Sequence, residues 1–134
     1  MFLRVKIDRR DQPAQLFLWQ GNERSSPPRE YVMTSMIFGF TQNSPFLAHS
    51  VRDYNARAHA ETHPLALNAI VRSHYMDDYL DSYATVEEAV STAKQVTEVH
   101  QKAGFALAGW NSNHAALLED KPEELLARKP KEVA

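Results

Sequence analysis

The spacing of apolar residues changes period part-way along this chain. Phe2, Val5 and Ile7, with Leu3 between them, mostly alternate and include β-branched types, which predicts a strand at the front. Asp11, Gln12 and Pro13 predict a turn, and Leu16–Trp19 a second short strand. GNERSSPPR (21–29) is a polar loop rich in turn formers, and YVMTSMIF (31–38) reads as a third strand buried on at least one face. The period then lengthens. Ser44 followed by Pro45 is a helix start, because Ser caps free backbone N–H groups and Pro suits the first turn. Leu47, Val51, Tyr54 and Ala58 follow on one helical face, and Pro64 is expected to stop or kink that helix. Residues 65–72 allow a second helical stretch. SHYMDDYLDSY (73–83) predicts a tight hairpin with acidic residues at its tip. Thr85 and Glu88 form a capping box ahead of an amphipathic helix through Val86, Ala89, Val90, Ala93 and Val96, closed by Gly104. Residues 105–110 read as a last strand, with a short helical pattern and a charged tail beyond Asn113. The order β-β-β-α-β-β-α-β predicts an α+β domain, an antiparallel sheet with helices packed on one face.

Composition narrows the class. The chain has 134 residues, a size that fits one domain. It is 43% hydrophobic and 24% charged, the mix of a folded globular chain. A net charge of -2 argues against a free-standing basic nucleic-acid module. The absence of cysteine removes disulfide scaffolds, thiolate zinc sites and cysteine nucleophiles. No apolar run is long enough to span a membrane, and MFLRVKIDRR has the wrong charge order for a signal peptide. The expectation is an intracellular protein, cytoplasmic or nuclear and not secreted, without a membrane partner.

Tyr75-Met76-Asp77-Asp78 is the segment best suited to chemistry. Two adjacent carboxylates among apolar residues are costly unless something positive sits with them. Carboxylate and phosphate oxygens are the ligands magnesium prefers, and a pair of such ions can activate a hydroxyl and stabilise a leaving phosphate. An exposed acidic turn is the plain alternative for the two aspartates alone. The flanks, His74, Tyr75, Met76, Tyr79 and Leu80, are not the residues of a solvated loop.

HYMDDYLDSYATVEEAV, KAGFALAGWNSN and FLWQGN…PPREYVMTSMIFG resemble, in that combination, the reverse transcriptase of BEL/Pao-type LTR retrotransposons. The likeness runs over residues 1–118, leaving 119–134 as a charged C-terminal tail. It implies part of the palm of a right-hand polymerase, an RNA-directed DNA polymerase within a larger polyprotein. By that resemblance Asp77 is the shared ligand of the metal ions and Asp78 the second acidic residue. Tyr75 and Met76 lie beside the primer terminus. Phe2 falls at the bulky gate that excludes a ribose 2′-hydroxyl. Gly39, Ser44 and Pro45 belong to the loop and helix that contact template and incoming nucleotide. The implied cofactor is Mg2+ (or Mn2+), two ions in the complete parent site. The implied partners are a nucleic-acid primer–template, deoxynucleotides, and the fingers, thumb and ribonuclease H of the parent protein.

The chain departs from the family's pattern in two places. The family's other essential aspartate is expected about four residues ahead of Phe2, and two-metal transfer needs carboxylates from both strands. Asp8 does not replace it, lying roughly 20 Å along an extended strand from Phe2. FGFTQNSP also carries one more residue between Gly39 and Ser44 than the family's loop. The chain alone is therefore expected to be inactive. The alternative is a degenerate or domesticated remnant, non-catalytic, acting as a nucleic-acid-binding or interaction module with an exposed apolar face.

Other motifs are weaker. His59 and His63 stand at i and i+4, but Glu61 is misplaced for a zinc protease, and surface histidines are the favoured reading. The stretch from Asp77 to Glu88 lacks the glycine of a calcium loop, and no nucleophile elbow surrounds Ser44. Trp19 and Trp110 are expected as core anchors, with base stacking as the alternative.

Overall fold

The computed structural model describes residues 4–22, 25–37 and 44–127, with the side chains of 44–48 excepted. Phe2 and Gly39 lie outside the described residues, and Ser44 and Pro45 are described in their backbone alone. The chain divides into two compact units, Met1–His49 and Ser50–Ala134. Its architecture is mixed α and β, with three α-helices and two small antiparallel sheets among the described residues.

In the first unit, strands β1 (Leu16–Trp19) and β2 (Arg29–Val32) pair antiparallel, Leu16 opposite Val32 and Trp19 opposite Arg29. Pro13 sits in a 3-10 turn over Gln12–Gln15, where the turn is predicted. Of the strands expected at 2–7 and 31–38, the described residues show only short pieces. Lys6 and Ser35 form one isolated bridge, held by Ile7 N–H to Thr34 O and Met36 N–H to Val5 O at 3.0 Å each. Met36 is buried against Val5 and Ile7, a small core. The ribbon β1–β2 is exposed at every position, so the burial expected for residues 31–38 begins only at Ser35 and Met36.

In the second unit, the part of α1 (Ser44–Ala58) from Ser50 on, α2 (Pro64–Arg72) and α3 (Val86–Lys102) enclose the main core. Ala56, Ala66, Ala69, Ile70, Val96 and Val99 are buried together, with Leu67, Tyr79 and Leu107 packed against them. Helix α1 starts at the Ser-Pro pair but ends at Ala58, before Pro64. The histidine segment after it bonds locally: Ala60 N–H reaches Arg57 O, and the Thr62 hydroxyl reaches His59 O at 3.2 Å. Such short-range bonds compete with the helical ladder. Pro64 then opens α2 at its first position, where its missing N–H costs nothing.

The predicted apolar face of α1 is not the buried one. Val51, Tyr54 and Ala58 are exposed, whereas Arg52 and Ala56 are buried. Asn55, next to Ala56 and one turn from Arg52, donates Nδ2–H to Val99 O at 2.6 Å. Helix α3 follows its pattern more closely, with Ala93, Val96, Val99, Thr92 and His100 buried.

Both ends of α3 are set locally. Thr85 Oγ1 accepts from Glu88 N–H at 3.2 Å. At the other end Gly104 takes φ +74°, Gly104 N–H bonds Gln101 O and Phe105 N–H bonds His100 O. These are the paired bonds of a Schellman cap, which requires a left-handed residue. The strand expected at 105–110 does not form. Gly109 takes φ +73° and turns the chain, and only Trp110 bridges to Leu126. Short 3-10 turns at Ala115–Leu117 and Glu123–Leu125 complete the unit. Among the described residues no helix is long and apolar enough to cross a membrane.

Candidate functional site

The YMDD segment forms the turn between β3 (His74–Tyr75) and β4 (Asp78–Tyr79). His74 pairs with Tyr79 and Tyr75 with Asp78, leaving Met76 and Asp77 as a two-residue loop. Met76 has φ +53°, the sole non-glycine residue with positive φ among those described. Positive φ at the first central position alone is the pattern of a II′ turn, whose twist matches that of a hairpin. Glycine normally supplies it, so Met76 is strained there.

The hairpin has an exposed tip and an anchored base. Tyr75, Met76, Asp77 and Asp78 are all exposed, Tyr75 by 73%. His74 Nδ1–H donates to Ile70 O at 3.0 Å and packs on Tyr79, ring centroids 5.1 Å apart. It also stacks on His100, centroids 5.1 Å apart and planes 14° from parallel. His100 is held by Val96 O at 2.9 Å and lies against Phe105. Tyr79 meets Trp110 edge-on, and its hydroxyl lies 2.7 Å from that of Tyr83. The Tyr83 hydroxyl donates to Asp81, and the Tyr79 hydroxyl donates to Tyr83, with the Asp81 carboxylate also in reach at 3.2 Å. The helix cap that seats Phe105 thus also braces the ring stack under the hairpin.

Electrostatics follow from this burial. His74 is pushed down to about 4, first by desolvation and then by the nearby charges of Arg52 and His100. Desolvation also lowers His100. Burial, aided by the bond to Tyr83, raises the Tyr79 phenol. Asp81 is held below the usual carboxylate range by bonds from Tyr83, Ser82, Ser73 and Tyr79, which outweigh its desolvation. The base of the hairpin is a neutral aromatic stack, and the carboxylates at its tip meet water.

Asp77 and Asp78 present hard oxygen donors from consecutive positions. These are the donor atoms magnesium prefers, and magnesium is commonly held by one or two carboxylates with water and phosphate oxygens. The pair is too small for the two-ion arrangement, which draws on further carboxylates. Among the described residues no cluster of three or more His, Asp or Glu side chains is placed to hold a metal.

Other singled-out residues take different positions. His63 Nε2 lies 3.1 Å from Glu98 Oε2 and its Nδ1 lies 2.7 Å from the Thr62 hydroxyl, so this side chain is largely buried rather than on the surface. His59 Nδ1–H donates to Asn55 O at 2.9 Å. Trp110 is half-buried under the Lys121 ammonium, 4.4 Å from the ring centroid, as an anchor would be. Trp19, expected in a core, is 59% exposed.

Two features escaped sequence reasoning. The buried Arg52 was hidden because the helical pattern placed it off the apolar face. The His74–His100 stack joins residues 26 positions apart, and the histidines give no spacing signal. Comparison with protein-family models, curated proteins and solved structures finds no match to this chain.

Proposed function

We propose that this chain is part of the palm of a retroelement RNA-directed DNA polymerase, inactive as an isolated segment. The observation that carries the reading is the hairpin itself. Tyr75, Met76, Asp77 and Asp78 make a two-residue turn between paired strands, with both carboxylates exposed on a braced base. A polymerase needs that presentation, because the carboxylates must reach metal and phosphate while their backbone stays fixed.

In this reading Asp77 and Asp78 hold Mg2+ (or Mn2+), and Tyr75 and Met76 lie beside the primer end. Phe2, Gly39, Ser44 and Pro45 keep the nucleotide-contacting roles that the resemblance implies. Bound divalent ions would supply Lewis-acid stabilisation of the transferring phosphate. The chain's own contribution is positional. His74 and Tyr79 fix the hairpin base, and the turn orients the two carboxylates. Primer–template, deoxynucleotides and the remaining polyprotein domains complete the system.

The test is a Mn2+ titration of the intact chain followed by electron paramagnetic resonance. Binding should weaken about tenfold in Asp77→Asn and fall again in the double variant with Asp78→Asn, because each change removes a charged ligand. Primer extension by the isolated chain should be absent. Manganese binding indifferent to both substitutions would sink the reading, and robust templated synthesis would sink the inactivity.

A second reading has one observation in its favour. The ribbon β1–β2 exposes Leu16, Phe17, Leu18, Trp19, Tyr31 and Val32 side by side, and contiguous exposed apolar residues mark interaction surfaces. That favours a non-catalytic remnant acting through contact.

A further inference from the structure

The ribbon β1–β2 sorts its side chains by face. In a strand, residues two apart share a face, and directly paired residues across an antiparallel ribbon share it too. Phe17 and Trp19 therefore lie on one face with their partners Tyr31 and Arg29. Leu16, Leu18, Glu30 and Val32 lie on the other. One side carries three aromatic rings and a guanidinium, the other mainly aliphatic chains.

The aromatic side is open. Trp19 is 59% exposed, Tyr31 43% and Phe17 42%. Phe17 and Tyr31 already stack, centroids 5.8 Å apart and planes 26° from parallel, making one continuous platform. Trp19, two residues along the strand and so about 7 Å from Phe17, makes a second. A shallow groove of about 260 Å³ opens between Trp19, Arg29 and Tyr31 and continues to Gly21 and Pro27. Arg29 is exposed and makes no ion pair among the described residues.

Local charge selects the occupant. Residues 1–49 hold six Lys and Arg against four Asp and Glu, a balance of +2 inside a chain of -2. Aromatic faces separated by the reach of one base each, next to an unpaired guanidinium, match a chain of flat rings joined by phosphates. An aliphatic partner would prefer the opposite face, and a neutral proline-rich segment would gain nothing from Arg29.

We propose that the Phe17–Trp19–Arg29–Tyr31 face binds single-stranded nucleic acid, with bases stacked on the Trp19 ring and the Phe17–Tyr31 pair and a phosphate on Arg29. The site stands on the register of the ribbon and holds whether or not the hairpin at Asp77 and Asp78 belongs to a polymerase.

The experiment is fluorescence anisotropy of the intact chain with a labelled 12-nucleotide oligothymidine. A 12-unit abasic oligonucleotide of equal charge and a proline decapeptide serve as competitors. The oligothymidine should bind about tenfold more tightly than the abasic strand, because stacking needs bases. Trp19→Ala and Tyr31→Ala should each lose about tenfold, while Trp19→Phe, which keeps a ring, stays within about threefold. Arg29→Gln should weaken binding and flatten its salt dependence. Leu18→Ser, on the opposite face of the same strand, should change nothing and shows that the ribbon tolerates substitution. Equal binding of the two strands, indifference to Trp19→Ala, or displacement by the proline peptide would each overturn the proposal. The manganese titration of the hairpin fails or succeeds separately from all of these.

Discussion

The imidazole of His74 lies flat on that of His100, although they belong to a hairpin strand and a helix 26 residues apart. Each ring spends its Nδ1–H on a carbonyl of its own helical neighbourhood, Ile70 O for His74 and Val96 O for His100. Arg52 is buried in the same unit, its guanidinium on Asp53 at 2.9 Å, and the charge groups acting on His74 are Arg52, His100 and Asp53. Tyr79 packs against His74 as a neutral phenol. A stack of two imidazoles near a buried cation stays together only while both rings are uncharged.

Acid should therefore loosen the base of the hairpin. The folded pKa of His74 is about 4, below its ordinary 6.5, so the unfolded chain takes up the proton first. The stability tied to a neutral His74 is complete above pH 6.5 and is lost as pH falls toward about 4. Urea denaturation at pH 7.5 and pH 5 should show this loss. His74→Phe keeps a ring in the stack and removes the titration, so its two midpoints should lie closer together, by on the order of 1 kcal/mol once partial exposure is allowed for. An unchanged difference in the variant would place the acid sensitivity elsewhere.

Arg52 offers an independent handle on the same stack. Its Nη1 is buried without a partner among the described residues, a cost that its pair with Asp53 does not remove. Arg52→Met replaces the charge with an apolar chain of similar length and should leave stability unchanged or raise it by about 1 kcal/mol. It should also raise the pKa of His74, since a neighbouring cation has gone. Ring-proton NMR across a pH series measures that shift, and an unchanged or lower value would mean that the Arg52 charge does not act on His74.

Strain at Met76 makes the tip testable without reference to any activity. A left-handed backbone costs a residue with a Cβ roughly 1–2 kcal/mol, part of which glycine recovers. Met76→Gly should raise the unfolding free energy measured in urea by about 0.5 kcal/mol after its extra unfolded-state entropy. Met76→Val should lower it by about 1–2 kcal/mol, because a β-branched side chain fits that region worst. Equal effects of the two would mean that the turn relaxes when its side chain changes.

What could be read from the chain depended on how local its cause was. Helix α3 was legible at both ends because its cap at Thr85, its stripe and its glycine at 104 all act within a few residues. The hairpin was legible because apolar residues flank an acidic turn too short for anything else. The strand expected at 105–110 failed for a different reason. Alternation makes a strand only where a partner is hydrogen-bonded beside it, and the left-handed Gly109 turns the chain so that only Trp110 finds one. The same limit shortened the segments around Lys6 and Ser35 to a single bridge.

The sequence by itself determined the elements whose hydrogen bonds close within a turn: the helix starts at Ser44 and Thr85, the glycine cap at Gly104 and a tight hairpin with acidic residues at its tip. Tertiary structure decided which faces those elements bury. It placed Arg52 and Ala56 inside while Val51 and Tyr54 stayed out, and it brought His74 onto His100. Periodicity records that a helix has two sides but not where its neighbours stand, and burial is a property of the neighbours. The hairpin that carries the proposed chemistry was therefore visible in four consecutive residues, while the stack that holds it in place came from contacts that no local spacing encodes.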